Sequence, residues 1–147
     1  MNTILDWRLK ASIFFYSLFL LFTVTFSVTY LFRSEFMPWH VAIAEQNWVD
    51  ISLGMQSLIL GLMKALGGAW LSTAVAISIL LVKSIRQGIR WAYWAIPAIG
   101  LPPAVINLFI GINEALNTSG SPPWVLPAFA VLILIAGFIL FLISEDK

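Results

Sequence analysis

Residues 11–32 read "ASIFFYSLFLLFTVTFSVTYLF", and this segment contains no charged side chain. A helix that crosses a bilayer needs about 20 apolar residues, because the hydrocarbon core is roughly 30 Å thick and a helix rises about 1.5 Å per residue. The segment is longer than the apolar part of a signal peptide, and it ends without a clear small-residue cleavage pattern. We therefore interpret it as a retained membrane span.

Three further apolar segments follow, and they predict spans at about residues 53–82, 91–115 and 124–143. The whole chain is 61% hydrophobic and only 10% charged. A soluble domain of this length would need more polar residues to cover its core. The sequence thus predicts an all-α integral membrane protein, in which residues 1–147 form a single four-transmembrane-helix bundle.

The basic residues predict the orientation of the bundle. Six of the eight lysines and arginines fall on one side of the predicted spans: Arg8, Lys10, Lys83, Arg86, Arg90 and Lys147. Short cytoplasmic loops are enriched in such residues. We therefore expect both termini in the cytoplasm and the protein in a bacterial inner membrane.

Small residues recur every three or four positions in the second predicted span: Ser57, Gly61, Ala65, Ala69, Ser72 and Ala76. Stripes of this kind let helix backbones approach closely in lipid. The pattern predicts a helix-packing seam, either within this chain or with another membrane subunit. An alternative is that Gly67 and Gly68 make room for a ligand.

The third predicted span has an inward-facing stripe of its own: Gly100, Pro103, Asn107, Gly111 and Glu114. Pro97, Pro102 and Pro103 each remove a backbone donor, so this helix should kink. Carbonyl groups freed by proline need new partners in a membrane, and the kinked face should therefore contact protein and not lipid.

Residues 37–51, "MPWHVAIAEQNWVDI", separate the first two spans. Pro38 suits the first turn of a short helix, and Trp39 and Trp48 suit the membrane interface. The residues that follow are too apolar to stand alone in water. We therefore expect this loop to fold down over the outer end of the bundle.

A candidate pocket lies beneath that loop. Counting along the helices places Lys64 and Glu114 within about 7 Å of each other along the membrane normal, near the outer edge of the hydrocarbon. Ionisable residues in spans are expensive and commonly functional. The candidate ligand-binding residues at this level are His40, Glu45, Lys64, Asn107, Asn113 and Glu114.

Several classes of function find no support in the sequence. Without cysteine, disulfides and cysteine-ligated metals are excluded. A single histidine offers no His pair for zinc or haem, and neither a phosphate-binding glycine loop nor a nucleic-acid signature is present. We expect no metal, no cofactor and no nucleic acid, with membrane lipids and possible membrane subunits as partners.

Four short patterns resemble small four-span bacterial membrane proteins grouped as DoxX-like: "MPWH", "LMKALGGAWL", "RWAYWAIPAIGL" and "SPPW". This resemblance implies an architecture more than an activity. The sterol-isomerase and sigma-receptor superfamily is also similar in broad shape, with an acidic, tryptophan-lined pocket in a small helical bundle. Glu45, Glu114 and Trp70 are the residues here that could line such a pocket, but the order of motifs does not match, so no residue role is carried over from that superfamily.

The leading functional hypothesis is a non-catalytic accessory subunit or a binder of lipid or another hydrophobic ligand at the outer end of the bundle. The alternative is a membrane enzyme acting on a lipid-like substrate, with His40 or Glu114 as acid or base and Lys64 or Asn107 stabilising developing charge. A small transporter or channel component is a third possibility.

Overall fold

The computed structural model describes residues 7–145, and helices account for most of them. The helices are α1 (Trp7–Phe32), α2 (Pro38–Ala44), α3 (Leu53–Gln87), α4 (Trp91–Asn117) and α5 (Val125–Glu145), with a short 3-10 helix at Trp48–Asp50. Four of them, α1, α3, α4 and α5, are long and apolar enough to span a membrane. The predicted four-helix membrane bundle is confirmed.

The longest helix is α3, whose 35 residues extend over about 52 Å. Its first turn is capped by Ser52, whose hydroxyl accepts a hydrogen bond from the Met55 N–H at 3.4 Å. The helix continues past its predicted end at Val82. Lys83 and Arg86 lie in this extension, and their long side chains can reach the polar interface without ending the helix. Gly88 ends it with φ +62°, a conformation that favours glycine.

The two ends of the bundle differ in chemistry. At the end called here the basic end, α1 begins, α3 turns into α4, and α5 finishes. Arg90 Nε lies 2.7 Å from Glu145 Oε1, and an Arg8 guanidinium nitrogen donates to the Ile143 carbonyl at 3.2 Å. The opposite end, called the lid end, carries residues 34–52, which we call the lid. Lys147, which the orientation argument counted, lies outside the described residues.

The core forms where α1 packs against α3 and α5, and where α4 packs against the same two helices. Its fully buried large side chains include Tyr16, Phe19, Ile96 and Phe141. The rings of Tyr93 and Phe141 stack at 4.7 Å, so Tyr93 is a core residue, whereas its neighbours Trp91 and Trp94 are exposed. In lipid, such close packing stabilises the bundle chiefly through dispersion.

The small-residue stripe of α3 does not form the seam predicted within this chain. Ser57, Gly61, Ala65, Ala69 and Ser72 are all exposed, and Ala76 is half-buried. The face that packs against α1 instead carries Gly67, Trp70, Ala74 and Ile77. A β-carbon at Gly67 would lie 2.9 Å from Leu31 Cγ, which shows how closely the two backbones approach there. Large buried side chains therefore decide which face of α3 turns inward.

The prediction that the small-residue and proline face of α4 contacts protein is confirmed at two glycines and at one proline. Gly100 and Gly111 are buried, against Phe19 and Trp124 respectively. Pro97 cannot donate to the carbonyl of Tyr93, four residues earlier, and the Tyr16 hydroxyl of α1 donates to that carbonyl at 2.9 Å. The carbonyl freed by Pro97 thus faces protein, as a membrane helix requires.

Candidate ligand-binding groove at the lid end

The lid folds onto the bundle through a small apolar cluster of its own. Phe36, Met37, Ile51 and Met63 are buried together, and Tyr30, Trp39, Trp48 and Ile59 pack around them. Met63 and Ile59 belong to α3 and Tyr30 to α1, so the lid contacts both helices. The expectation that this loop covers the end of the bundle is confirmed.

The link between α4 and α5 also contacts the lid. The Ser119 hydroxyl, in the link between α4 and α5, donates to the Ala42 carbonyl at 2.8 Å. Gly120 packs against Ile43 so tightly that a β-carbon there would overlap its side chain. In the sequence, residues 117–123, "NTSGSPP", indicate only a turn. Its small residues were the available signal that another element approaches closely.

His40 stabilises the first turn of α2. Its imidazole Nδ1 accepts a hydrogen bond from the Met37 backbone N–H at 3.3 Å, and the backbone N–H of His40 donates to the Met37 carbonyl at 2.9 Å. The imidazole also contacts the Phe36 and Trp39 rings edge-on, with centroids at 6.0 and 5.7 Å. Burial lowers the pKa of His40 below its ordinary value. A neutral ring with its proton on Nε2 follows from these contacts.

Three other predicted pocket residues, Trp70, Glu45 and Asn107, lie in different surroundings. Trp70 is only 2% exposed and lies against the rings of Phe22 and Phe26 in the core. Glu45 is exposed at the end of α2, where its φ of 53° is left-handed. The Asn107 amide donates to the Pro103 carbonyl of its own helix at 2.9 Å.

Lys64 and Glu114 were expected to share one polar cluster with Asn113. Lys64 is exposed and Glu114 is half-buried. Across residues 7–145 the ion pairs are Arg33–Glu35 and Arg90–Glu145, so Lys64 and Glu114 are not in direct contact. Asn113 is exposed and accepts from the Asn117 amide at 3.0 Å. The assignment of these residues to a ligand site stays a prediction.

A groove of about 380 Å³ does occur at the lid end, beside the predicted pocket. Ligand sites commonly have volumes of about 300–1,000 Å³ and combine apolar walls with a few polar groups. This groove is lined by Arg33, Glu35, Phe36, Pro38, Val41, Asn47, Trp48 and Val49. In the sequence, Arg33 stands out only as the first charged residue after the first predicted span, and Glu35 belongs to none of the patterns considered above.

Hydrogen bonds fix the position of the polar residues that line the groove. One terminal nitrogen of Arg33 donates to the Phe36 carbonyl at 3.2 Å. The same nitrogen lies 3.8 Å from Glu35 Oε1, which is too long for a hydrogen bond. Asn47 donates to Asp50 at 3.1 Å, and Gln56 donates to the Trp48 carbonyl at 2.8 Å. These contacts hold residues 47–50 as one wall of the groove.

Another surface groove, of about 390 Å³, follows α3 at the basic end. It is lined by Ser78, Ile79, Val82, Lys83, Arg86 and Gln87. All of its lining residues belong to one helix, so no second element closes around a ligand. We regard it as the space between long side chains on a helix surface.

Comparison with known proteins adds no relative: no family model, curated protein or solved structure matches the chain. Within the described part of the chain, no group of three histidine, aspartate or glutamate side chains is arranged to hold a metal ion.

Proposed function

We propose that this chain is a non-catalytic, multi-pass membrane protein that binds a lipid or another amphiphile in the groove at the lid end. The observation that carries the proposal is the position of the groove directly after Phe32, where α1 ends. An amphiphile at such a boundary keeps its apolar part in the hydrocarbon and its polar part in water. The lining of the groove offers both kinds of surface, with Val41 and Val49 among its apolar residues and Arg33 and Glu35 as its charged residues.

The proposed setting is a bacterial inner membrane with both termini in the cytoplasm. The basic end of the bundle supports this orientation, because Lys83, Arg86 and Arg90 lie there. The groove then opens at the outer leaflet. A four-helix architecture is also what the DoxX-like resemblance would imply.

The enzyme alternative has less support from the geometry. His40 uses Nδ1 to cap α2, and its surroundings are the rings of Phe36 and Trp39. An acid–base pair needs its two groups within reach of one substrate, and these contacts support a structural role for His40.

A single introduced cysteine tests the groove, because the chain has none of its own. Val49 is 82% exposed and lines the groove, so Val49→Cys can carry an environment-sensitive fluorophore. Titration with short-chain phospholipid in detergent should give a saturable change of fluorescence. The matched control is Ile139→Cys on α5, which is 49% exposed and lies outside the groove lining. An equal response from both labels would contradict the proposal.

A second candidate function, that of an accessory subunit, is favoured by the exposed face of α3. A β-carbon added at Gly54, Gly61 or Gly68 would meet no atom within 4 Å. Small residues on an exposed membrane face leave room for a second helix. Cross-linking from Ala65→Cys in native membranes should then capture another membrane protein. Leu132→Cys on α5 is the control, and equal capture from both positions would argue against a specific interface.

A further inference from the structure

We propose that the groove at the lid end selects a zwitterionic headgroup, with a phosphate against Arg33 and a primary ammonium against Glu35. This inference rests on the proposed lipid-binding function and specifies its ligand. Phosphoethanolamine has the required chemistry, whether it is the headgroup of a lipid or a soluble compound. Arg33 and Glu35 place two opposite charges in the lining of one groove.

The charged groups of Arg33 and Glu35 lie close together but form only a weak ion pair. The shortest nitrogen–oxygen distance between Arg33 and Glu35 is 3.8 Å, and their side chains are 33% and 56% exposed. An exposed ion pair of this kind contributes little to stability. A ligand that supplies one negative and one positive group can therefore replace the weak pair with two better-directed interactions.

Arg33 retains hydrogen-bonding capacity that a phosphate can use. A guanidinium has five N–H donors, and the Phe36 carbonyl accepts from one terminal nitrogen. Nε is buried without an acceptor among residues 7–145, so a phosphate would have to approach the terminal nitrogens of this side chain, which is 33% exposed. Arginine binds phosphate in a bidentate manner, with geometry that lysine cannot reproduce. The guanidinium is thus the phosphate-binding group of the groove.

Glu35 determines which cationic group the headgroup carries. Its carboxylate lines the same groove and would repel a headgroup with net negative charge. A primary ammonium can donate hydrogen bonds to that carboxylate, whereas a quaternary ammonium has no N–H to donate. The Trp48 ring, which also lines the groove, adds a surface that attracts cations. A phosphate joined to a primary ammonium fits these groups together.

The fluorophore at Val49→Cys provides the test. The probes are short-chain phosphatidylethanolamine, phosphatidylglycerol and phosphatidylcholine, and soluble phosphoethanolamine. We expect phosphatidylethanolamine to bind about tenfold more tightly than the other two lipids. Arg33→Gln should weaken its binding about tenfold or more, as expected when a charged hydrogen bond is lost. Arg90→Gln, at the basic end, is the matched control and should leave binding unchanged.

Glu35 gives the sharper test, because its exposed side chain is not needed for packing. Glu35→Gln should make the protein bind phosphatidylethanolamine and phosphatidylglycerol equally. Glu35→Lys should reverse the preference in favour of phosphatidylglycerol. If the unaltered groove binds both lipids equally and Glu35→Gln changes nothing, the zwitterion inference is overturned while lipid binding stands.

The remaining outcomes separate the inference from the proposed function. If neither a lipid nor soluble phosphoethanolamine changes the signal at residue 49, the proposed function itself fails, and the inference fails with it. If soluble phosphoethanolamine binds as tightly as the lipid, the headgroup assignment is upheld, but the groove serves a soluble ligand and the lipid function is overturned.

Discussion

Tyr16 on α1 supplies a hydrogen-bond donor that Pro97 removes from α4. Pro97 leaves the Tyr93 carbonyl without its usual intrahelical donor, and the Tyr16 hydroxyl donates to that carbonyl at 2.9 Å. Tyr16 is fully buried and Tyr93 is 3% exposed. Water therefore cannot replace the hydroxyl if it is removed, and the two residues should be energetically coupled.

A double-mutant cycle measures this coupling. Tyr16→Phe should lower the free energy of unfolding in detergent by about 1–2 kcal/mol, because the carbonyl loses its partner. In a Pro97→Ala background the same change should cost much less, since the alanine N–H can donate to Tyr93 within the helix. Simple additivity of the two changes would show that the hydroxyl does not compensate for the proline.

His40 should make the lid sensitive to pH. Burial lowers its pKa in the folded protein below the ordinary value of 6.5. Between these two pKa values the unfolded chain binds the proton and the folded chain does not. The contribution of His40 to stability is therefore complete above about pH 6.5 and declines as the pH falls toward the folded-state pKa.

Hydrogen exchange of α2 amides measures this effect, and protection should decrease between pH 7 and pH 5.5 after correction for intrinsic exchange. The control is His40→Gln, because glutamine at this helix position can also accept from the cap N–H but does not titrate. Loss of protection with the same pH profile in the variant would assign the effect to another group.

At the scale of the helix, the two small-residue patterns of the sequence had different outcomes. The stripe of α4 faces inward at its glycines, as predicted, because Gly100 lies against the Phe19 ring and Gly111 lies against the backbone and β-carbon of Trp124. The stripe of α3 faces outward. Apolar side chains gain little by leaving lipid, so spacing alone cannot distinguish a face that meets protein from one that meets lipid.

Gly67 and Gly61 form a matched pair on α3 for testing which face packs. Gly67→Ala should destabilise the bundle by about 1–3 kcal/mol, because its β-carbon would meet the backbone and side chain of Leu31. Gly61→Ala has open space around it and should stabilise the helix by about 0.5–1 kcal/mol. Detergent unfolding of both variants checks this, and equal effects would contradict the observed orientation of α3.

For the whole molecule, composition and apolar length were enough to predict the class of fold. The four spans follow from the thickness of a bilayer, and the helix at Pro38 follows from local proline chemistry. The groove could not be predicted in this way. It depends on Arg33 and on residues 38–49 being brought together, and that placement depends in turn on contacts with α3 and with Gly120.

Cysteine labelling tests the orientation of the whole chain. Gly88→Cys lies at the basic end and Val49→Cys at the lid end. A membrane-impermeant thiol reagent added to intact cells that have a permeable outer membrane should label residue 49 and not residue 88. Labelling both after the inner membrane is opened is the control. Labelling of residue 88 in intact cells would reverse the proposed topology.

The hydrogen bond between Ser119 and Ala42 also has a consequence for the order of events during synthesis. These residues are 77 positions apart, and at about 5–20 residues per second a ribosome needs roughly 4–15 s to add that length. Through this interval α2 has been made but lacks Ser119 and Gly120. The groove therefore reaches its final shape only after α4 is complete, and a nascent chain halted at the end of α3 should leave α2 open to proteases that the finished protein resists.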